Sequence, residues 1–179
     1  MKKSLIAAAA AFVCVAASAP AFAQTTTFEP VSVYGNLGYS YVHSDPFGVS
    51  AVQGRLGARF GKYVGAEGEL AFGVNSDTDT ATGVKLKLRN SYNGYVVGFL
   101  PVMPNVDLLA RVGYGHSNLR YSGTVVPTFD LGENSVNYGG GAQVFLTPHD
   151  GIRAEYTRFN FNHNNPDANV WSVSYVRKF

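Results

Sequence analysis

From residue 31 to the last residue, the chain contains eight stretches in which apolar and polar side chains alternate one by one, and this leaves few folds open. Period two is the mark of a strand whose two faces meet different surroundings. The first run, 31–43, sets Val31, Val33, Leu37, Tyr39 and Tyr41 against Ser32, Asn36 and Ser40. In 50–60, Val52, Leu56, Ala58 and Phe60 oppose Gln53, Arg55 and Arg59. The run 63–74 sets Val64, Leu70 and Phe72 against Glu67 and Glu69. In 84–100, Val84, Leu86, Leu88, Tyr92, Val96 and Leu100 oppose Lys85, Lys87, Arg89, Ser91 and Asn93. The remaining runs are 106–116, 135–146, 151–161 and 169–179. Short connections (61–62, 101–105, 147–150) alternate with longer polar ones (44–49, 75–83, 117–134, 162–168).

The N-terminus bears on the compartment. Lys2 and Lys3 precede an alanine-rich apolar run over residues 5–17, and Ala21-Phe22-Ala23 offers small residues at both positions a signal peptidase reads. This is the three-part pattern of an export signal, with cleavage expected after Ala23, so that residues 1–23 are a signal peptide and 24–179 the functional domain. A membrane anchor is the alternative, but the run is short for a span. Removing it takes Cys14, the only cysteine, and two basic residues, leaving about 156 residues with acidic and basic side chains in balance. Disulfides and cysteine-based metal sites are then excluded, and no basic surface suited to nucleic acid is expected. No stretch beyond residue 23 is apolar for the ~18 residues a membrane helix needs. A membrane-spanning form of this chain must therefore be a closed barrel, which alone among sheets leaves no backbone group unpaired in hydrocarbon.

Alternation does not say which face points outward. In a soluble lipocalin-like barrel the apolar face would line a ligand cavity. Three features favour the inverse. Aromatics on the apolar face gather at strand ends (Tyr39, Tyr41, Phe60, Phe72, Tyr114, Tyr156, Trp171, Phe179), as in interfacial girdles. The polar face is rich in Gly and Ser, which suits a narrow interior. The apolar faces are nearly free of charge, with Arg158 and Arg177 falling near strand ends, where a lipid-facing arginine costs only ~0–1 kcal/mol. The expected fold is all-β: an eight-stranded antiparallel up-and-down transmembrane β-barrel.

On that reading the lumen holds Arg55, Arg59, Lys85, Lys87, Arg89, Arg111, Arg153 and Lys178 with Glu67, Glu69, Asp107 and Glu155. Arg55 falls beside Glu67 or Glu69 across the 61–62 turn. Buried charges need partners, and eight strands enclose just enough room for side chains to fill. The expectation is a salt-bridged, plugged core. A narrow anion-preferring pore is the alternative, since basic groups outnumber acidic ones in this set.

Residues 138–161, YGGGAQVFLTPHDGIRAEYTRFNF, resemble the sixth-to-seventh strand hairpin of OmpA/OmpX-like, opacity-type "porin family" outer-membrane barrels, and the ending WSVSYVRKF is similar to the family's terminal strand. The resemblance implies a Gram-negative outer-membrane location, contact with lipid and lipopolysaccharide, and a terminal strand bearing Trp171, Tyr175 and Phe179 that is read by the barrel-assembly machinery. Arg177 departs from the family, which usually has an aromatic or apolar residue there. No peptidoglycan-binding domain is expected after the barrel, and a monomer is expected.

Some related barrels modify lipid A. The nearest hint is His116-Ser117-Asn118, with Glu133 beyond the following connection. Adjacent residues of a strand point to opposite faces, so His116 does not activate Ser117 and no enzyme is expected. His149 and His163 lack metal-like spacing partners, Asp77 and Asp79 read as a solvated polar loop, and neither metal nor cofactor is expected. The segment 117–134, with Leu119, Tyr121, Val125, Val126, Phe129 and Leu131, is either an interaction surface for a ligand or an upward extension of two strands. The function expected is a structural or surface-interaction role in the envelope.

Overall fold

The computed structural model describes residues 31–44, 47–78, 84–123, 127–161 and 167–179. The expected signal segment with Ala21 and Ala23, together with Asp79, Val125, Val126 and His163, lies outside them. Among the described residues nine strands follow one another: β1 (Ser32–Ser44), β2 (Phe47–Phe60), β3 (Val64–Gly73), β4 (Asp77–Thr78), β5 (Val84–Met103), β6 (Val106–Gly123), β7 (Phe129–Phe145), β8 (Asp150–Phe161) and β9 (Ala168–Lys178). Each pairs antiparallel with its sequence neighbour apart from β3 and β4, β1 also pairs with β9, and β3 also pairs with β5. β3 and the two-residue β4 lie end to end along β5, at Ala71↔Ser91 and then Asp77↔Leu86, and so make one stave. The result is the expected closed barrel of eight staves, whose ladder has no free edge to satisfy.

One rim carries the short connections and the C-terminus. At the first of these turns Gly61 has φ 67°, a left-handed conformation that only glycine adopts freely. Alternation then decides the two surfaces. Outward residues are apolar and uncovered by protein, with Leu37 64%, Leu56 69% and Val173 59% exposed. Inward residues are polar, with Arg55, Asn137 and Arg153 at 3% or less. Phe60, Tyr63, Tyr175 and Phe179 ring the outer face near the short-turn rim. Tyr39, Tyr41, Phe72, Tyr92, Tyr114 and Trp171 ring it on the other side. Apolar outside and polar inside sets the lipocalin-like alternative aside: in water the uncovered Leu, Val and Ile of this face would be a large unfavourable surface.

Two sequence expectations change. The segment 117–134 is mostly ladder, since Ser117↔Glu133 through Tyr121↔Phe129 continue the β6–β7 pairing. With β5 they form a three-strand wing rising above the upper aromatic ring, and these are the longest strands, at 20, 18 and 17 residues. Counted among the long connections, the segment is the upward extension of two strands that the sequence also allowed. The apolar Leu119 and Leu131 of that segment point inward.

The second change concerns facing. In β5 the register jumps from Leu88↔Leu119 to Asn90↔Asn118, which leaves Arg89 as an extra residue, a β-bulge. One extra residue exchanges the two faces of everything beyond it. Lys85, Lys87 and Arg89, expected in the lumen, are therefore exposed on the outer surface of the wing. Leu86 and Leu88, expected outside, are buried within and pack on Val49, Ala51 and Ala71.

Candidate functional site

The middle of the lumen is a network of three arginines and three glutamates. β2 and β3 bring Arg55 opposite Glu69 across the 61–63 turn. Arg55 Nε donates to Glu69 Oε2 at 2.6 Å, and its Nη1 donates to Glu155 on β8, on the far side of the barrel. Arg111 from β6 donates to Glu69 at 3.1 Å and, through Nε and Nη2, to the Thr157 hydroxyl. Arg153 donates to Glu67 and, twice, to Gln143 Oε1. Tyr34 donates its hydroxyl to Glu67 at 2.7 Å, and Asn93 donates an amide hydrogen to Glu69 at 3.0 Å. All six charged groups are at most 4% exposed. Balanced sign and multiple hydrogen bonds are what make such burial tolerable.

Room for these long side chains comes from the glycines of β7. A Cβ on Gly141 would stand 2.1 Å from the Ala154 carbonyl oxygen and 2.8 Å from Glu155 Cγ. The position admits glycine alone if Glu155 is to keep its place. Inward aromatics complete the packing: the Arg111 guanidinium lies over Tyr95 at 4.3 Å from the ring centroid, and Arg153 over Tyr34 at 5.3 Å. Sequence reasoning passed over Tyr34, Tyr95, Phe99 and Phe145. The lower part of β5 is apolar on both faces, so alternation is silent there. The parity of Asn36 and Asn93 was the available signal.

Nearer the short-turn rim Arg59 pairs with Asp107 at 2.9 Å, Gln143 donates to the same carboxylate at 2.7 Å, and the Lys178 ammonium sits 3.5 Å from the centre of the Phe145 ring. With Lys85, Lys87 and Arg89 outside, basic groups no longer outnumber acidic ones among the described luminal residues, and Glu133 joins the acidic set. The premise of an anion-preferring interior is thereby corrected.

On the outer surface, His116 contacts Asn134 at 2.8 Å and Asn118 at 3.3 Å, while Ser117 faces the lumen and meets Ser91 at 3.0 Å. The two stand on opposite sides of one strand. Arg89 and Arg120 both hold Asp130, with Arg89 and Asp130 2.9 Å apart. The hydrogen bond from Arg120 holds the Asp130 carboxyl down to about 2. The two outward arginines read as tolerable at a rim each have an aspartate: Arg158 pairs with Asp167 at 2.8 Å and Arg177 with Asp150 at 3.0 Å. Hydrogen bonds from Tyr175 and Thr147, with Arg177 nearby, lower the Asp150 carboxyl below its usual range. Asp77 accepts from the Gly48 amide at 2.7 Å, and His149 is exposed in a turn. Among the described residues no cluster of three or more metal-ligating side chains occurs. Trp171, Tyr175 and Phe179 all lie on the outer face.

A closed antiparallel barrel with an apolar belt, two aromatic rings and a charged, hydrogen-bonded lumen is a membrane-spanning β-barrel of the outer-membrane class. Residues 5–179 match the outer membrane protein beta-barrel domain, and the chain belongs to that family. Among solved structures it is similar to Ail, the attachment invasion locus protein of Yersinia pestis, crystallised with the heparin analogue sucrose octasulfate. The identity is 17%, with 83% of this chain and 97% of that one covered and a TM-score of 0.60. The N-terminal β-barrel domain of Pseudomonas aeruginosa OprF gives 12% identity over 81% and 96%, with a TM-score of 0.59. Neisserial surface protein A gives 18% over 83% and 97%, with a TM-score of 0.53. No curated protein matches the sequence. The likenesses agree with the OmpA/OmpX-like resemblance and share the fold.

Proposed function

We propose that this outer-membrane barrel is a non-conducting envelope protein that acts through its external end. The observation that carries the reading is the Arg55–Glu69–Glu155–Arg111 cluster, which links β2, β3, β6 and β8 across the lumen. Opening a water path would require these multiply bonded side chains, which fill the cross-section between the four strands, to separate together. The test is single-channel recording of the pure protein in planar bilayers. Silence is the expected result, and steady anion-selective openings would show a pore instead.

The external end supports a surface-interaction role because its outer face is basic where it leaves the membrane. Lys85, Lys87, Arg89 and Arg120 project from adjacent strands just above the aromatic ring. That is the depth of lipopolysaccharide phosphates, and ammonium and guanidinium groups are their natural partners. The chain acts without catalysis in this reading, supported by the opposed directions of His116 and Ser117. A changed lipid A acyl pattern on expressing the wild type, but not His116→Ala, would argue for an enzyme. It is exported with cleavage after Ala23, inserted by the assembly machinery through Trp171, Tyr175 and Phe179, and works as a monomer. N-terminal sequencing of the membrane form checks the first of these.

A further inference from the structure

Above the charge network the lumen is built differently. Val49, Leu86, Leu88, Leu119, Phe159 and Val170 point inward there, and they enclose about 260 Å³ of open volume instead of meeting at the axis. At the base of this chamber the Ser91 and Ser117 hydroxyls satisfy each other, and Glu69 is held by Arg55, Arg111 and Asn93. Two polar groups have no such partner. Glu133, 8% exposed, lines the cavity, and its carboxylate makes no hydrogen bond or ion pair with another described side chain. Gln53 Nε2 is buried with no acceptor among the described residues.

The upper wall is mostly leucine, valine and phenylalanine, with Ser40, Gln53 and Glu133 between them, so an apolar body of matching size displaces water that this wall holds weakly. A carboxylate in the same wall is unfavourable unless a cation meets it. The arginines beneath are already shared between Glu69 and Glu155. An apolar chamber with one convergent charged group is the general form of a small-molecule site. We infer that the external half of the lumen is a binding pocket for a small amphiphilic amine, its apolar body in the chamber and its ammonium on Glu133. An amphiphilic acid meets repulsion at Glu133, and a neutral alcohol gains only the apolar part. This goes beyond the surface role proposed above and does not depend on it.

The experiment titrates 4-phenylbutylamine, 4-phenylbutanol and 4-phenylbutyrate into the protein in lipid nanodiscs, reading methyl NMR shifts of Val49, Leu86, Leu88 and Val170. Empty nanodiscs correct for lipid partitioning. The amine is expected to bind at least tenfold more tightly than the alcohol, and the acid not at all. Glu133→Gln brings the amine to the level of the alcohol. Leu88→Phe, which fills the chamber, abolishes both, and heat-modifiable mobility verifies that each variant is folded. Equal affinity of wild type and Glu133→Gln for the amine, or shifts confined to lipid-facing methyls such as Leu37 and Leu56, would overturn the assignment.

Discussion

Arg55 restrains two glutamates on different strands, so its loss leaves more behind than a vacancy. In Arg55→Ala both Glu69 and Glu155 lose a hydrogen-bonding cation in a lumen where they are at most 4% exposed. Destabilisation of about 3–5 kcal/mol is expected, read from urea unfolding in lipid vesicles by loss of the fast-migrating folded band. Arg55→Lys should recover only part, because an ammonium cannot present the guanidinium fork to two carboxylates. Gly141→Val tests the room left for this layer and should destabilise by about 1–3 kcal/mol through overpacking. The exposed pair of Arg120 and Asp130 behaves differently. The Asp130 carboxyl lies at about 2, below its ordinary 3.8, so it binds protons less readily folded than unfolded. Its contribution is complete above the ordinary value and is lost as the pH falls toward about 2. A carboxyl-carbon NMR titration should place its midpoint near the lower number, and Arg120→Ala should move it upward. Of these residues, Arg55 was legible as a partner of Glu67 or Glu69, because a short turn sets the register of its hairpin to within one step of the alternation, and the structure selects Glu69. Glu155 as a second partner was not, since it arrives from β8, two staves removed from β2's neighbour, and sequence alternation carries no information about contacts across the lumen.

At the level of strands, the bulge at Arg89 governs the upper half of β5. Alternation read Leu86, Leu88, Tyr92 and Val96 as one face, because their numbers share parity and nothing in composition marks an inserted residue. The structure places the first two inside and the last two outside. Single cysteines test this, since the chain's own Cys14 falls within the expected signal segment. Lys85→Cys and Lys87→Cys should react on intact cells with a membrane-impermeant maleimide, and Leu86→Cys and Leu88→Cys should be protected. Deleting Arg89 should reverse the pattern by shifting the facing of residues 85–88. Most lower halves of the staves were legible because lipid on one side and a polar lumen on the other enforce alternation; the lower part of β5, where Tyr95, Val97 and Phe99 turn inward, was the exception. The wing was legible only as one of two readings of residues 117–134, because outside the membrane its polar outward residues and its glycines have the composition of a loop.

For the molecule as a whole, closure through β3–β5 pairing and through β1–β9 makes the ladder continuous, so unfolding must break the ring as a unit. In isolated outer membranes the protein should therefore run faster on an unheated gel than after boiling, and absence of that shift would undermine the barrel. The number of staves and the membrane-embedded class followed from pattern counting; the hollow upper chamber did not, as volume left unfilled has no sequence signature. The same ring also serves two solvents. Below the upper aromatic ring it keeps apolar side chains out and charges in; above it, Leu86, Leu88, Leu119 and Leu131 turn in while lysines and arginines turn out. On β5 that exchange happens at one residue. Arg89 is thus a waterline inscribed in the covalent chain: it records how deep the barrel sits, and an insertion or deletion there would change the draught of the molecule as well as the face of a strand.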